Sequence, residues 1–361
     1  MLLNYNERYH AKEKFFHMEK GCNIRDVAKK AGVSPGTVSR VLNNRMGRMQ
    51  VSEATRAMIL RCAKELDYQP NINARRLFSK QSRVVGLVIP SIREIHGNIF
   101  ADRHIMDLLC GIEQVLALRK YKLLLLFKDQ DFIESEEYLS LYRGKQIDGL
   151  LIWGSHRSER FWKELEKRNY PHVFITTCPD GLATQSHVYS ADYASAAYDV
   201  MRYLLRKKHR RILWAKPEPD SSLSLDLMEG FSQAFQEMEC PMRKVLSEIV
   251  CGYSPEDGYN LMEELGEDRT NYSAILFSSC NSASGALDYC MKFGIRVPVE
   301  TAIAACDNND TGNVRAKITC SRCGDIQLGN LAAEALIAGI EGKTPPRDRK
   351  VKTVFLGGDT A

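Results

Sequence analysis

Apolar residues recur at helical spacing near the start of the chain and in short strand-like runs after residue 83. Ile24, Val27, Ala28 and Ala31 fall on one face of a helix. Gly32 can take the positive φ that ends that helix. Ser34 then offers a hydroxyl N-cap, and Pro35 suits a first helical position. Val38, Val41 and Leu42 supply a second buried face. A third helix is expected from Ser52 to Leu66, capped by Ser52, with Met58, Ile59, Cys62 and Leu66 inward. Two short helices across a glycine turn make a helix-turn-helix, whose second helix enters the DNA major groove. The same hairpin occurs in helical domains that never meet DNA, and the pattern by itself leaves both readings open.

From Val84 onward the pattern alternates. Strands are expected at Val84–Pro90, Tyr121–Phe127, Gly149–Trp153, His172–Thr177, Val188–Ala191, Arg211–Ala215, Ala274–Ser279 and Thr301–Asp307. Amphipathic stretches such as Arg103–Arg119, Tyr193–Lys207, Leu223–Met238 and Ser282–Phe293 lie between them. Short apolar runs separated by helices argue for parallel sheets covered on both faces. The strands are too many for one modest sheet, and a boundary near Leu182–His187 divides them into similar halves. Open α/β sheets bind ligands outside the carboxyl ends of their strands, so two facing sheets make a cleft. An unrelated two-domain α/β enzyme would show the same alternation.

Charge separates the two regions. Residues 1–82 carry 16 Lys+Arg against 7 Asp+Glu, whereas the remainder carries 34 against 38. The overall +5 therefore hides a basic head on a mildly acidic body, which points to a polyanionic partner for the head alone. No apolar run approaches the ~18 residues of a membrane span. Residues 1–21 lack the apolar stretch of a signal peptide. The eleven cysteines are scattered, as expected of reduced cytoplasmic thiols. Cys320-x-x-Cys323 is a close pair without evident metal or redox partners. No nucleophile–base order, metal spacing or phosphate loop stands out, so neither an enzyme nor a cofactor is expected.

The string Asp26-Val-Ala-x-x-Ala-Gly-Val-Ser-x-x-Thr-Val-Ser-Arg-Val-Leu-Asn43 continues with Val51-Ser-x-x-Thr-Arg56. Leu66-x-Tyr-x-Pro-Asn71-x-x-Ala74-x-x-Leu77 then follows. This run resembles the N-terminal domain of the Lac repressor family of transcriptional regulators. The resemblance extends more loosely to about residue 356 and leaves residues 1–17 outside. It implies an all-α helix-turn-helix domain and hinge helix joined to a two-lobed α/β core like that of periplasmic binding proteins. The expected divisions are a disordered extension, 1–21; a helix-turn-helix domain, 22–69; a hinge helix and linker, 70–82; a first core subdomain, 83–185 with 310–345; and a second, 186–309 with 346–361. It further implies a homodimer on near-palindromic double-stranded operator DNA, with no membrane partner, repressing under control of a small molecule.

The resemblance also assigns roles. Arg40 is expected outward on the recognition helix, reading guanine bidentately, with phosphate as the alternative. Pro35 and Gly36 occupy variable base-reading positions but bring no hydrogen-bond code. Thr37, Ser39 and Asn43 suit phosphates or base edges, and Ser34 and Ser52 set helix starts toward phosphates. In the hinge, Asn71 and Ala74 accompany Leu77, the expected minor-groove wedge. For the effector, Asp307 and the stacking Tyr253 match the family's ligand contacts. Ser279 replaces an Asn, Cys280 an Asp, and Leu227 a ligand-clamping Arg. The stretch between Pro90 and Gly111 is long and includes Ser91, Arg93, His96, Asn98, Phe100 and Asp102. Arg93 is expected either in the cleft or on its rim. Trp153 is a second stacking platform or a structural residue. The loss of the clamp favours a neutral saccharide over a sugar phosphate. A degenerate cleft answering a protein or redox signal is the alternative.

Overall fold

The computed structural model describes residues 22–42, 51–69, 81–91, 99–182, 187–217, 221–307 and 316–361. Residues 1–81 and 82–361 form two compact units. The expected extension and hinge helix lie outside the described residues, as do Asn43, Asn71, Ala74, Leu77 and Arg93.

The first unit contains α1 (Ile24–Ala31), α2 (Pro35–Leu42) and α3 (Glu53–Glu65). Asn23 and Asp26 form a capping box at the start of α1, and Gly32 at φ 62° ends it. Val27, Ala28, Ala31, Val38, Val41, Ile59, Cys62 and Ala63 make one buried cluster, with Met58 and Leu66 packed at its margin. Lys30 and Glu65 join α1 to α3 across 2.9 Å on the surface.

The second unit holds two parallel sheets. The first contains β1 (Val84–Pro90), β2 (Lys122–Lys128), β3 (Gly149–Trp153), β4 (His172–Ile175), β5 (Val188–Ala191) and β11 (Lys350–Val351), in the order β11-β5-β4-β3-β1-β2. The second contains β6 (Ile212–Lys216), β7 (Leu246–Val250), β8 (Ala274–Phe277) and β9 (Ala302–Ala305), in the order β7-β6-β8-β9. Strands β10 (Cys320–Arg322) and β12 (Val354–Leu356) pair antiparallel. Each main sheet is buried on both faces because alternate side chains point opposite ways. Val85, Leu87 and Ile89 enter one cluster and Val84 and Val88 another. In the second lobe Ala274 and Leu276 part similarly from Ile275 and Phe277.

Three subdomain boundaries differ from expectation. Strand β5 lies beyond the expected crossing at residue 186, yet it pairs with β4 in the first sheet. The chain crosses just after it: Tyr193 and Ala197, in α8 (Tyr193–Arg206), belong to the second lobe's core. It recrosses after β10 rather than near residue 310, because Cys320 still packs in the second lobe. The last crossing falls after β11, which pairs with β5, rather than at residue 346. Periodicity cannot locate such crossings, because a strand reads alike in either sheet. The edge strand β7 was also invisible, since its half-exposed Leu-Ser-Glu-Ile-Val lacks a continuous apolar run.

Two helices of the first lobe frame the cleft. α4 (Arg103–Leu118) and α13 (Asp325–Ile340) pack side by side. A Cβ on Gly111 would lie 2.0 Å from the carbonyl oxygen of Ile326, and one on Gly329 would lie 2.3 Å from that of Leu108. Glycine at both positions therefore lets the two backbones touch, which brings their amino ends together.

Candidate nucleic-acid interface and interlobe cleft

Helix α2 presents a polar outer face over an apolar inner one. Val38 and Val41 are buried, Thr37 and Ser39 half-buried, and Ser34, Pro35, Gly36 and Arg40 exposed. Ser34 Oγ accepts the Thr37 backbone N–H at 3.1 Å and lies 2.9 Å from the Thr37 hydroxyl. Ser52 repeats the arrangement, accepting the Thr55 N–H at 3.2 Å. Both serine hydroxyls are thus engaged in starting their helices. What these ends can offer a phosphate is their first-turn backbone N–H groups. Pro35 and Gly36 add shape without hydrogen-bonding side chains, and Arg40 is the long cation on this face.

In the second unit, the amino end of α4, the carboxyl end of β9 and the amino end of α13 converge on one cluster of titratable groups. Asp102 caps α4, accepting the His104 N–H at 2.9 Å. His104 Nδ1 lies 2.8 Å from Asp325 Oδ1, and its ring is 5.8 Å from that of Trp153. Burial alone would lower the His104 imidazole, but Asp325 outweighs it and raises the group to about 9. Asp307 Oδ1 accepts the Cys280 N–H at 2.6 Å, at the start of α12 (Cys280–Lys292). Burial pushes the Asp307 carboxyl up to about 7, with Asp325 and Asp102 adding to the rise and the Cys280 N–H and His104 opposing it. Beside them, burial raises the Tyr193 phenol well above its ordinary value.

The lobes also touch near the carboxyl end of β4. Ser222, first residue of α9 (Ser222–Glu237), accepts the Cys178 N–H at 2.9 Å and donates back to its carbonyl at 3.3 Å. Thr176, two residues earlier, sits at φ 71°. That region is strained for a β-branched residue.

The expected effector residues separate into groups. Asp307 and Trp153 belong to the cluster, and Ser279 caps the adjacent α12 with its hydroxyl on the Asn281 N–H. Tyr253 follows β7 and is 42% exposed. Ser91 is buried beyond β1, donating its N–H to the Lys128 carbonyl at 2.8 Å. Leu227 requires correction. It is fully buried in the second lobe's core with Trp214 and Phe231, so it is a packing residue and not a ligand contact. A leucine at that register satisfies the helix's apolar face. Phe100 packs edge-on against Phe127, with ring centroids 6.3 Å apart.

Sequence reasoning missed His104 and Asp325. Each stands at the start of a helix, but 221 positions separate them and the α4–α13 contact joins them. An aspartate opening an apolar helix reads as a capping preference, and a histidine there carries no motif.

Comparison with known proteins agrees with this architecture. Residues 23–71 match "Bacterial regulatory proteins, lacI family", and residues 201–358 match "Periplasmic binding protein-like domain". Catabolite control protein A of Priestia megaterium is 31% identical over 299 residues, 82% of this chain and 86% of that protein. The HTH-type transcriptional regulator MalR of Streptococcus pneumoniae is 24% identical, over 87% of this chain and 91% of its own. Among solved structures, the Lac repressor dimer bound to operator and the anti-inducer ONPF superposes with a TM-score of 0.75 at 19% identity, covering 94% of this chain and 99% of that one. A CelR–cellobiose complex gives 0.68 at 23% identity, covering 94% and 100%. At these identities the structures establish the fold: a helix-turn-helix domain with a two-lobed α/β core.

Proposed function

The chain belongs to the lacI family of bacterial regulatory proteins, and from that premise we propose a repressor that binds a near-palindromic operator as a homodimer and answers a saccharide in the interlobe cleft. The observation that carries the DNA reading is the outer face of α2, where Ser34, Pro35, Gly36 and Arg40 stand exposed over a buried Val38–Val41 seam. The basic excess of residues 1–82 supports phosphate neutralisation by the same unit. The relatives it matches are transcriptional regulators, not enzymes.

For the effector, the carboxyl ends of two parallel sheets face each other around Asp307, Trp153 and His104, where an open α/β lobe takes its ligand. Cellobiose in the CelR complex supports a saccharide as the class. Carboxylates at this cleft disfavour a sugar phosphate. A ligand shifts operator affinity only through its differential affinity for the two lobe arrangements. A second reading, a cleft that answers a protein or redox signal, draws on the buried Leu227 and on Ser279 being occupied as a cap.

Selection of operators from random DNA, followed by binding across a salt series, tests the first half. A near-palindrome and a steep loss of affinity from dilute to physiological salt are expected. Affinity indifferent to salt would refute phosphate-driven binding. Thermal shift against a carbohydrate panel tests the second half.

A further inference from the structure

Among the described residues of the second unit, no buried apolar cluster spans the two lobes. Where the lobes meet outside the crossing segments, polar contacts therefore decide how they sit. Cys178 lies past the carboxyl end of β4, and Ser222 follows β6 at the start of α9, so each stands at the ligand-binding edge of its sheet. The Ser222 hydroxyl clasps the Cys178 backbone on both sides, accepting its N–H at 2.9 Å and donating to its carbonyl at 3.3 Å. Beside the pair the lobes part around a cavity of about 1180 Å³, lined by Pro179 of the first lobe and by Leu225 and Asp226 of the second. On that side no side-chain packing reinforces the contact.

Neither element needs this clasp for itself. Ser221 caps α9, its hydroxyl accepting the Leu223 N–H at 3.2 Å, and alanine suits a helix at least as well as serine at the next position. The Cys178 segment is held to the first lobe by other bonds. Thr177 donates its hydroxyl to the Ser155 carbonyl at 2.9 Å, and Arg157 pairs with Asp180 at 2.7 Å. These bonds hold Thr176 at its φ of 71° and tie the segment to the loop that follows Trp153. Ser222, 8% exposed, is thus the second lobe's grip on a rigid handle of the first. We propose that Ser222 is a positioning residue, a latch that selects the approached arrangement of the lobes and thereby sets operator affinity. This rests on the reading above, in which the cleft acts on DNA through the lobe arrangement. Bonds present in one arrangement alone bias the equilibrium by their own free energy, and two hydrogen bonds, net of hydration, are worth about a three- to thirtyfold shift.

Two variants of the full chain test the latch from opposite sides. Ser222→Ala removes it. Ser222→Cys places a thiol against Cys178, and dibromobimane, which bridges neighbouring thiols, can tie the two together. The parent treated with the same reagent controls for the other cysteines. Binding is read on the operator that the parent selects from random DNA, and hydrogen exchange of residues 176–180 reports the Cys178 amide. Ser222→Ala should speed that exchange and shift operator affinity by about threefold or more. The bridged Ser222→Cys protein should keep the parent affinity or shift it the other way. Faster exchange with unchanged operator affinity would make the contact merely structural and overturn the latch. Shifts of the same sign in the released and bridged proteins overturn it too, because damage would then explain both. So does a folded Ser222→Cys protein that cannot be bridged, since the two segments would not meet. A parent that selects no operator refutes the DNA reading itself, and the latch falls with it.

Discussion

The His104–Asp325 pair is where single side chains matter most to the core. His104 has its folded value raised to about 9 from an ordinary 6.5. The native state thus holds a proton that the unfolded chain releases above pH 6.5. The resulting stabilisation is complete below pH 6.5 and lost as pH rises through about 9. Thermal denaturation from pH 6 to 10 should show this alkaline loss in the parent and its absence in Asp325→Asn. Removing one partner of a buried pair costs about 3–5 kcal/mol, so the variant should be markedly less stable at pH 6. Parallel curves for the two proteins would show that the pair is not ionised. In the DNA-binding unit, Arg40→Ala should relax base preference at one symmetric pair of operator positions, with a loss of about 1–3 kcal/mol per contact. Weakening that is uniform over all sequences would make Arg40 a phosphate anchor instead. Legibility at this scale was uneven. The capping roles of Ser34 and Ser52 were readable because they act within three residues. The burial of Leu227 was not, because family register names a position without saying which way a new side chain turns.

Among the elements, the α4–α13 contact is the most demanding. The Gly111 position meets a backbone carbonyl, which cannot move aside as a side chain can. Gly111→Ala should therefore push the helices apart and destabilise the core by at least the ~1–3 kcal/mol typical of overpacking. Denaturant midpoints give the stability change. A neutral result would mean that the helices slide without penalty. Helix α4 was expected within a residue of its ends, since amphipathic period is a local signal. Strands β10, β11 and β12 were not, because two- and three-residue strands have no periodicity to read and exist only through their partners.

At the scale of the whole molecule, sequence gave way to topology. The two-lobed core was legible from alternating strands and helices, but the places where the chain crosses between lobes were not. The reciprocal Cys178–Ser222 bonds add a contact between the lobes beyond those crossings. Because each lobe is built from two segments separated in sequence by the other lobe, residues 82–361 should unfold in one calorimetric transition. Two resolved transitions for this unit would show that the lobes are separately stable.

The first lobe completes its core with α13, whose Leu328, Ala332 and Leu336 join the cluster around Leu87, and completes its sheet with β11. Both arrive more than 130 positions after β5. At about 5–20 residues per second of synthesis, the β1–β5 layer waits on the ribosome for several seconds to nearly half a minute with one apolar face covered by α4 alone. That interval, and not the finished protein, is when this chain most needs a chaperone, and mutations that bare more of that face should lower its yield more than its final stability.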